Sequence, residues 1–99
     1  MTSSRMDNLI ERSHTSSWLG EGSSPWGLPA YLTMRMKVGV VHGGLFSTNQ
    51  STPRYLIVIS PQGTRWLIPF PLARVERQSV HFDALHEDDL EEMTPPVGM

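Results

Sequence analysis

The five consecutive apolar residues Tyr55-Leu56-Ile57-Val58-Ile59 restrict the folds open to this chain more than any other feature. β-Branched and aromatic types lose rotamer freedom in a helix and fit a pleated strand, so the run predicts a strand. Its unbroken apolarity predicts burial on both faces. Ser60-Pro61-Gln62-Gly63 follows. Pro61 presets the φ of position i+1 of a type I turn, Ser60 suits position i, and Gly63 can take the positive φ that closes a bulged hairpin. Beyond the turn, Trp66, Ile68 and Phe70 alternate with Arg65, Leu67 and Pro69, as on a return strand. Residues 54–70 are therefore predicted to form the hairpin around which the rest is arranged.

Upstream, residues 31–42 alternate Leu32, Met34, Met36, Val38 and Val40 with Thr33, Arg35, Lys37 and Gly39. That pattern predicts a half-buried strand with a solvated basic face, and Gly43-Gly44 after it permits a two-residue turn. Residues 47–53 are polar and read as a loop. Val75, Val80 and Phe82 predict one more, kinked strand. From Asp83 to Met93 the residues favour a short helix, capped by Asp83, with Leu85, Leu90 and Met93 on one side. Residues 1–30 are rich in Ser, Gly and Pro and predict a flexible arm, although one that holds Trp18-Leu19 and Trp26-Gly27-Leu28.

Three regions follow: an arm over 1–30, a β domain over 31–82, and an acidic helix and tail over 83–99. The expected fold is mainly β, a small partly open barrel or sandwich of about five antiparallel strands. About fifty residues form a marginal core, so a homo-oligomer is expected to complete it. The chain has no cysteine, which excludes disulfides and zinc–thiolate sites. No apolar run approaches the roughly 18 residues of a membrane span, and the first residues lack the apolar core of a secretory signal; a cytoplasmic protein is expected.

The net charge of −2 hides a segregation. Between residues 31 and 77 six cations face Glu76 alone, whereas residues 78–99 carry six carboxylates and no Lys or Arg. A basic β domain thus precedes an acidic tail.

Catalytic signals are weak. There is no nucleophile-elbow motif, no phosphate-cradling loop and no dinucleotide fingerprint, and the serines crowd into irregular segments. His81 and His86, with Asp83 and Glu87 nearby, match no metal-site spacing. No cofactor or metal is expected. Two functions stay open. The first is a non-enzymatic protein-interaction module, a small regulatory or accessory protein, in which Trp18, Leu19, Trp26 and Leu28 anchor a protein partner, since tryptophan is enriched among interface hot spots. The second is single-stranded nucleic-acid binding by a basic sheet face made of Arg35, Lys37, Arg54, Tyr55, Arg65, Arg74 and Arg77, with the acidic tail as competitor.

Overall fold

The computed structural model describes residues 9–13, 17–20, 22–48 and 50–94. These residues form one mixed sheet of seven strands: β1 (Leu9–Ser13), β2 (Pro29–Tyr31), β3 (Lys37–Ser47), β4 (Tyr55–Ile59), β5 (Arg65–Pro69), β6 (Arg74–Val75) and β7 (Val80–His81). The order is β5-β4-β3-β2-β7-β6, with β1 also paired to β3. The domain is mainly β, as its sequence predicts, but the expected five antiparallel strands are seven. The sheet stays open, with β5 and β6 at its two ends. One pairing, β2 with β7, is parallel, because the β6–β7 hairpin returns alongside β2.

The central hairpin forms as predicted, and its register places Tyr55 opposite Pro69 and Ile59 opposite Arg65. Its turn is closed by Gly63 N–H donating to the Ser60 carbonyl at 2.9 Å and Ser60 N–H donating to that of Thr64 at 2.9 Å. Gly63 has φ +93°, a conformation that a Cβ would strain. The Ser60 hydroxyl oxygen accepts from the Gln62 and Thr64 amides. Both faces of β4 are buried. Leu56 and Val58 join Leu32, Val41, Ile68 and Phe82 in the main core, while Ile57, on the other face, packs with Leu45 and Leu67 in a smaller one. Leu9 of β1 lies against that second core, and the Arg65 guanidinium reaches Glu11 of β1 at 3.3 Å. The sheet thus shields its own second face with a strand from the N-terminal segment. The part of that segment within 1–8 lies outside the described residues.

Residues 31–42 do not form one strand. Tyr31 ends β2, Lys37 begins β3 directly opposite it, and Leu32–Met36 turn the chain between them. The alternating pattern belongs to both arms of a hairpin, so Met34 and Met36 are exposed rather than inward. Gly43-Gly44 is not a turn either. It lies inside β3, where the pairing steps from Val41–Val58 to Gly43–Ile57. The extra residue, His42, makes a bulge that swaps the two faces of the strand. Gly44 is closely packed there: a Cβ would sit 3.0 Å from the Tyr55 carbonyl oxygen and 3.1 Å from the Trp26 ring, so those neighbours would have to give by a few tenths of an ångström.

The expected kinked strand over 73–82 is the β6–β7 hairpin, closed by Glu76 N–H donating to the Ser79 carbonyl. The acidic helix is a 3₁₀ helix over Glu87–Met93. Asp83 does not cap it. His86 begins it, its N–H donating to the Asp89 carboxylate at 2.8 Å; the amides an Asp83 cap would serve are both taken, Leu85 N–H by the Phe82 carbonyl and His86 N–H by Asp89, while the Asp83 carboxylate accepts from Arg74. Leu90 and Met93 seat the helix on the main core.

Candidate functional site

Two turns and the 3₁₀ helix surround an open groove of 670 Å³. Its apolar lining is Val38 of β3, Trp66 of β5 and Leu90 of the helix, all packed on the main core. Its charged lining is Glu87, Asp88 and Glu91 from the exposed side of the helix, with Lys37 opposite. The strands carry Val38 and Trp66 because both are core-facing positions at strand ends, where the covering layer stops. The helix contributes Leu90 to the core and its carboxylates to the groove by the same periodicity that seats it.

A smaller hollow of 290 Å³ adjoins the groove and shares Met36, Glu87 and Asp88 with it. Met34 also lines this hollow. Met34 is 92% exposed and Met36 45% exposed, unusual for large flexible apolar side chains. The backbone that presents them is strained: Met34 has φ 57° and Arg35 φ 60°, left-handed values in residues with a Cβ. Neither Arg35 and Lys37 nor Glu87, Asp88 and Glu91 take part in the ion pairs among the described residues.

The expected nucleic-acid residues do not converge. Arg54 and Arg65 stand at opposite ends of the β4–β5 hairpin, the first donating to the Ser47 hydroxyl and the second paired with Glu11. Tyr55 packs against the smaller core. Arg74 and Arg77 belong to the β6 end of the sheet, where Arg74 bridges Glu76 and Asp83. Only Arg35 and Lys37 stand together, at the β2–β3 turn.

Of the expected protein-binding residues, Trp26 and Leu28 pack on the main core. Trp18 meets Trp26 edge-on at 5.2 Å between ring centroids and Phe70 at 6.1 Å, and Trp26 also meets Phe46. Leu19 beside them is 64% exposed. The three aromatic contacts make these tryptophans a cover for the sheet as well as a surface.

One polar cluster merits comparison with a catalytic site. The buried His81 ring stacks on Tyr31, and its Nε2 lies 2.8 Å from the Ser79 hydroxyl and 3.5 Å from Glu76. A serine–histidine–carboxylate relay needs the hydroxyl on one ring nitrogen and the carboxylate on the other. Here both meet the same nitrogen, so the arrangement fastens the β6–β7 hairpin. In the same network the Arg74 guanidinium, hydrogen-bonded to Asp83 at 2.9 Å, holds that carboxyl below its ordinary range. Among the described residues no three His, Asp or Glu are grouped as metal ligands, and no helix is long and apolar enough to cross a membrane.

The groove was only partly legible in the chain. The acidic run and the alternating methionines were visible, but their meeting depends on a turn whose left-handed residues carry no glycine signal. No protein-family model matches this sequence, and no curated protein matches it.

Proposed function

We propose that the chain is a non-enzymatic protein-interaction module, a small cytoplasmic regulatory or accessory protein, and that its docking surface is the groove between the two turns and the acidic helix. The observation that carries this reading is the coincidence at one place of exposed methionines, an apolar floor and carboxylates that join no ion pair among the described residues. Methionine adapts its shape to an incoming side chain, and an apolar anchor with a polar rim is the usual anatomy of a protein interface. The carboxylates select for a partner segment that carries Lys or Arg beside an apolar residue. Trp18 and Leu19 offer a second contact surface to the same partner.

The dispersal of the arginines favours this reading over single-stranded nucleic acid, which needs a continuous cationic track with stacking platforms. Selection of random displayed peptides on the immobilised protein tests it. Enriched sequences are expected to hold cationic residues around an apolar anchor, and enrichment is expected to vanish for the double variant Glu87→Lys, Glu91→Lys. Absence of enrichment, together with salt-sensitive retention of an unstructured oligonucleotide, would replace the reading with the nucleic-acid one.

A further inference from the structure

We infer that a second copy of this chain occupies the groove, donating its β2–β3 turn. The inference rests on the interaction reading above and names a partner for the same site. The turn reads Met34-Arg35-Met36-Lys37, apolar and cationic in alternation. The groove that Met36 and Lys37 of this turn help to wall reads as its counterpart, with Val38, Trp66 and Leu90 in a lining shared with Glu87, Asp88 and Glu91. Within one chain, the described ion pairs leave both sets of charges unmatched. A knob and a complementary hollow that share one patch are what a two-fold interface requires, since each copy then gives and receives the same contact.

The strain at the turn fits this role. Left-handed Met34 and Arg35 hold the two side chains on a projecting corner, with Met34 almost wholly exposed. Left-handed Arg35 serves closure as Gly63 does in the β4–β5 turn, but left-handed Met34 has no counterpart there, and it is Met34 that the corner presents. Association by this surface would also regulate docking, because a dimer covers the groove that a cationic segment of another protein would enter.

Sedimentation velocity from about 1 µM to about 1 mM covers the range in which a small two-fold interface dissociates. Wild-type protein is expected to pass from monomer to dimer within it, and the transition to move to lower concentration as salt is reduced. Arg35→Glu and Glu87→Arg alone each place like charges opposite one another twice across the axis, and each is expected to weaken self-association at least about tenfold. Mixed in equal amounts, the two variants are expected to form a heterodimer as well as the wild type forms its dimer. Both positions are exposed, and circular dichroism checks that each variant keeps its sheet.

A protein that stays monomeric throughout, or a dimer that neither substitution weakens, or singly weakened variants that do not recover on mixing, would overturn the inference. Peptide selection separates this result from the broader reading. A monomer that still enriches cationic peptides refutes only the second copy as occupant, and a protein that dimerises but whose weakened variant Arg35→Glu, with its groove uncovered, enriches none refutes only the foreign partner.

Discussion

The β4–β5 turn and the β2–β3 turn are closed by the same pair of backbone hydrogen bonds, yet the residues between them are opposite in kind. Each connects its strands through five residues, Ser60–Thr64 in the first and Leu32–Met36 in the second. In both, the first N–H donates to the last carbonyl, at 2.9 Å from Ser60 to Thr64 and 2.7 Å from Leu32 to Met36. In both, the fourth N–H donates back to the first carbonyl, from Gly63 to Ser60 and from Arg35 to Leu32. The fourth residue is left-handed each time: glycine in one turn, arginine in the other, where Met34 before it is left-handed as well. The first turn uses a residue suited to its geometry and adds the Ser60 hydroxyl as a second acceptor. The second makes the same two closing bonds with two left-handed residues that carry a Cβ, and is braced by Thr33 N–H donating to the Leu85 carbonyl. One turn is built for closure; the other is a structure that the rest of the fold keeps in place.

The largest expected effect concerns what keeps the two turns side by side. Gly39 lies between them in β3, and a Cβ there would fall 2.3 Å from the Ile59 carbonyl oxygen, against backbone rather than a flexible side chain. Gly39→Ala is expected to lower unfolding stability by about 3 kcal/mol, the upper part of the range for forced overpacking. Urea denaturation measures it. A loss within experimental scatter would mean that β3 and β4 can part at this point, and that the turns need not be adjacent.

Exchanging the residue types of the two turns sharpens the comparison. Gly63→Ala puts a Cβ on a left-handed residue and is expected to cost about 1 kcal/mol. Arg35→Gly removes one from the equivalent position and is expected to stabilise by up to about 1 kcal/mol, reduced by the greater freedom glycine gives the unfolded chain. Thermal unfolding of both variants gives the two signs. If Arg35→Gly destabilises, the arginine is not strained in its turn and the difference between the two disappears. If it stabilises, the left-handed arginine is held against its preference, a loss of stability of the kind common at functional sites.

How much of this was legible in the sequence follows the same line. The central hairpin, its turn chemistry and its two-sided burial were all readable, because Tyr55–Ile59 and Ser60-Pro61-Gln62-Gly63 agree at every level, from propensity to turn type. The β2–β3 hairpin was read as a single strand because nothing in Thr33-Met34-Arg35 marks a reversal; only the surrounding pairing imposes one. The bulge at His42 was hidden for a related reason. Gly43-Gly44 fits a primed turn locally, and its place inside a strand is decided by the close approach of Trp26 and the Tyr55 carbonyl. In the helix, the periodicity identifies Leu90 and Met93 as the packed side, but the cap lies at His86 and not Asp83, because the Leu85 and His86 amides donate to Phe82 and Asp89 and the Asp83 carboxylate is held by Arg74. Local conflict and the proposed docking surface thus coincide at Met34–Lys37.

The smallest expected effect tests the brace on the strained turn. The Leu85 carbonyl that holds Thr33 N–H belongs to the segment that begins at Asp83, and Asp83 is tied to Arg74 of β6. Arg74 holds the Asp83 carboxyl below its ordinary value of 3.8, so the pair stabilises the fold above that value. The contribution is lost as pH falls through the lower folded-state value. Because the pair is exposed, only a slight change in melting temperature is expected, confined to pH below about 4 and absent in Asp83→Asn. The informative readout is local: hydrogen exchange at Thr33 N–H, compared with that at Thr64 N–H under the same conditions. Neutralising Asp83, by acid or by substitution to Asn, should accelerate the Thr33 amide relative to the Thr64 amide, since only the strained turn leans on that segment. Equal acceleration at both amides would show a general loosening of the sheet and would remove the brace from the account of the second turn.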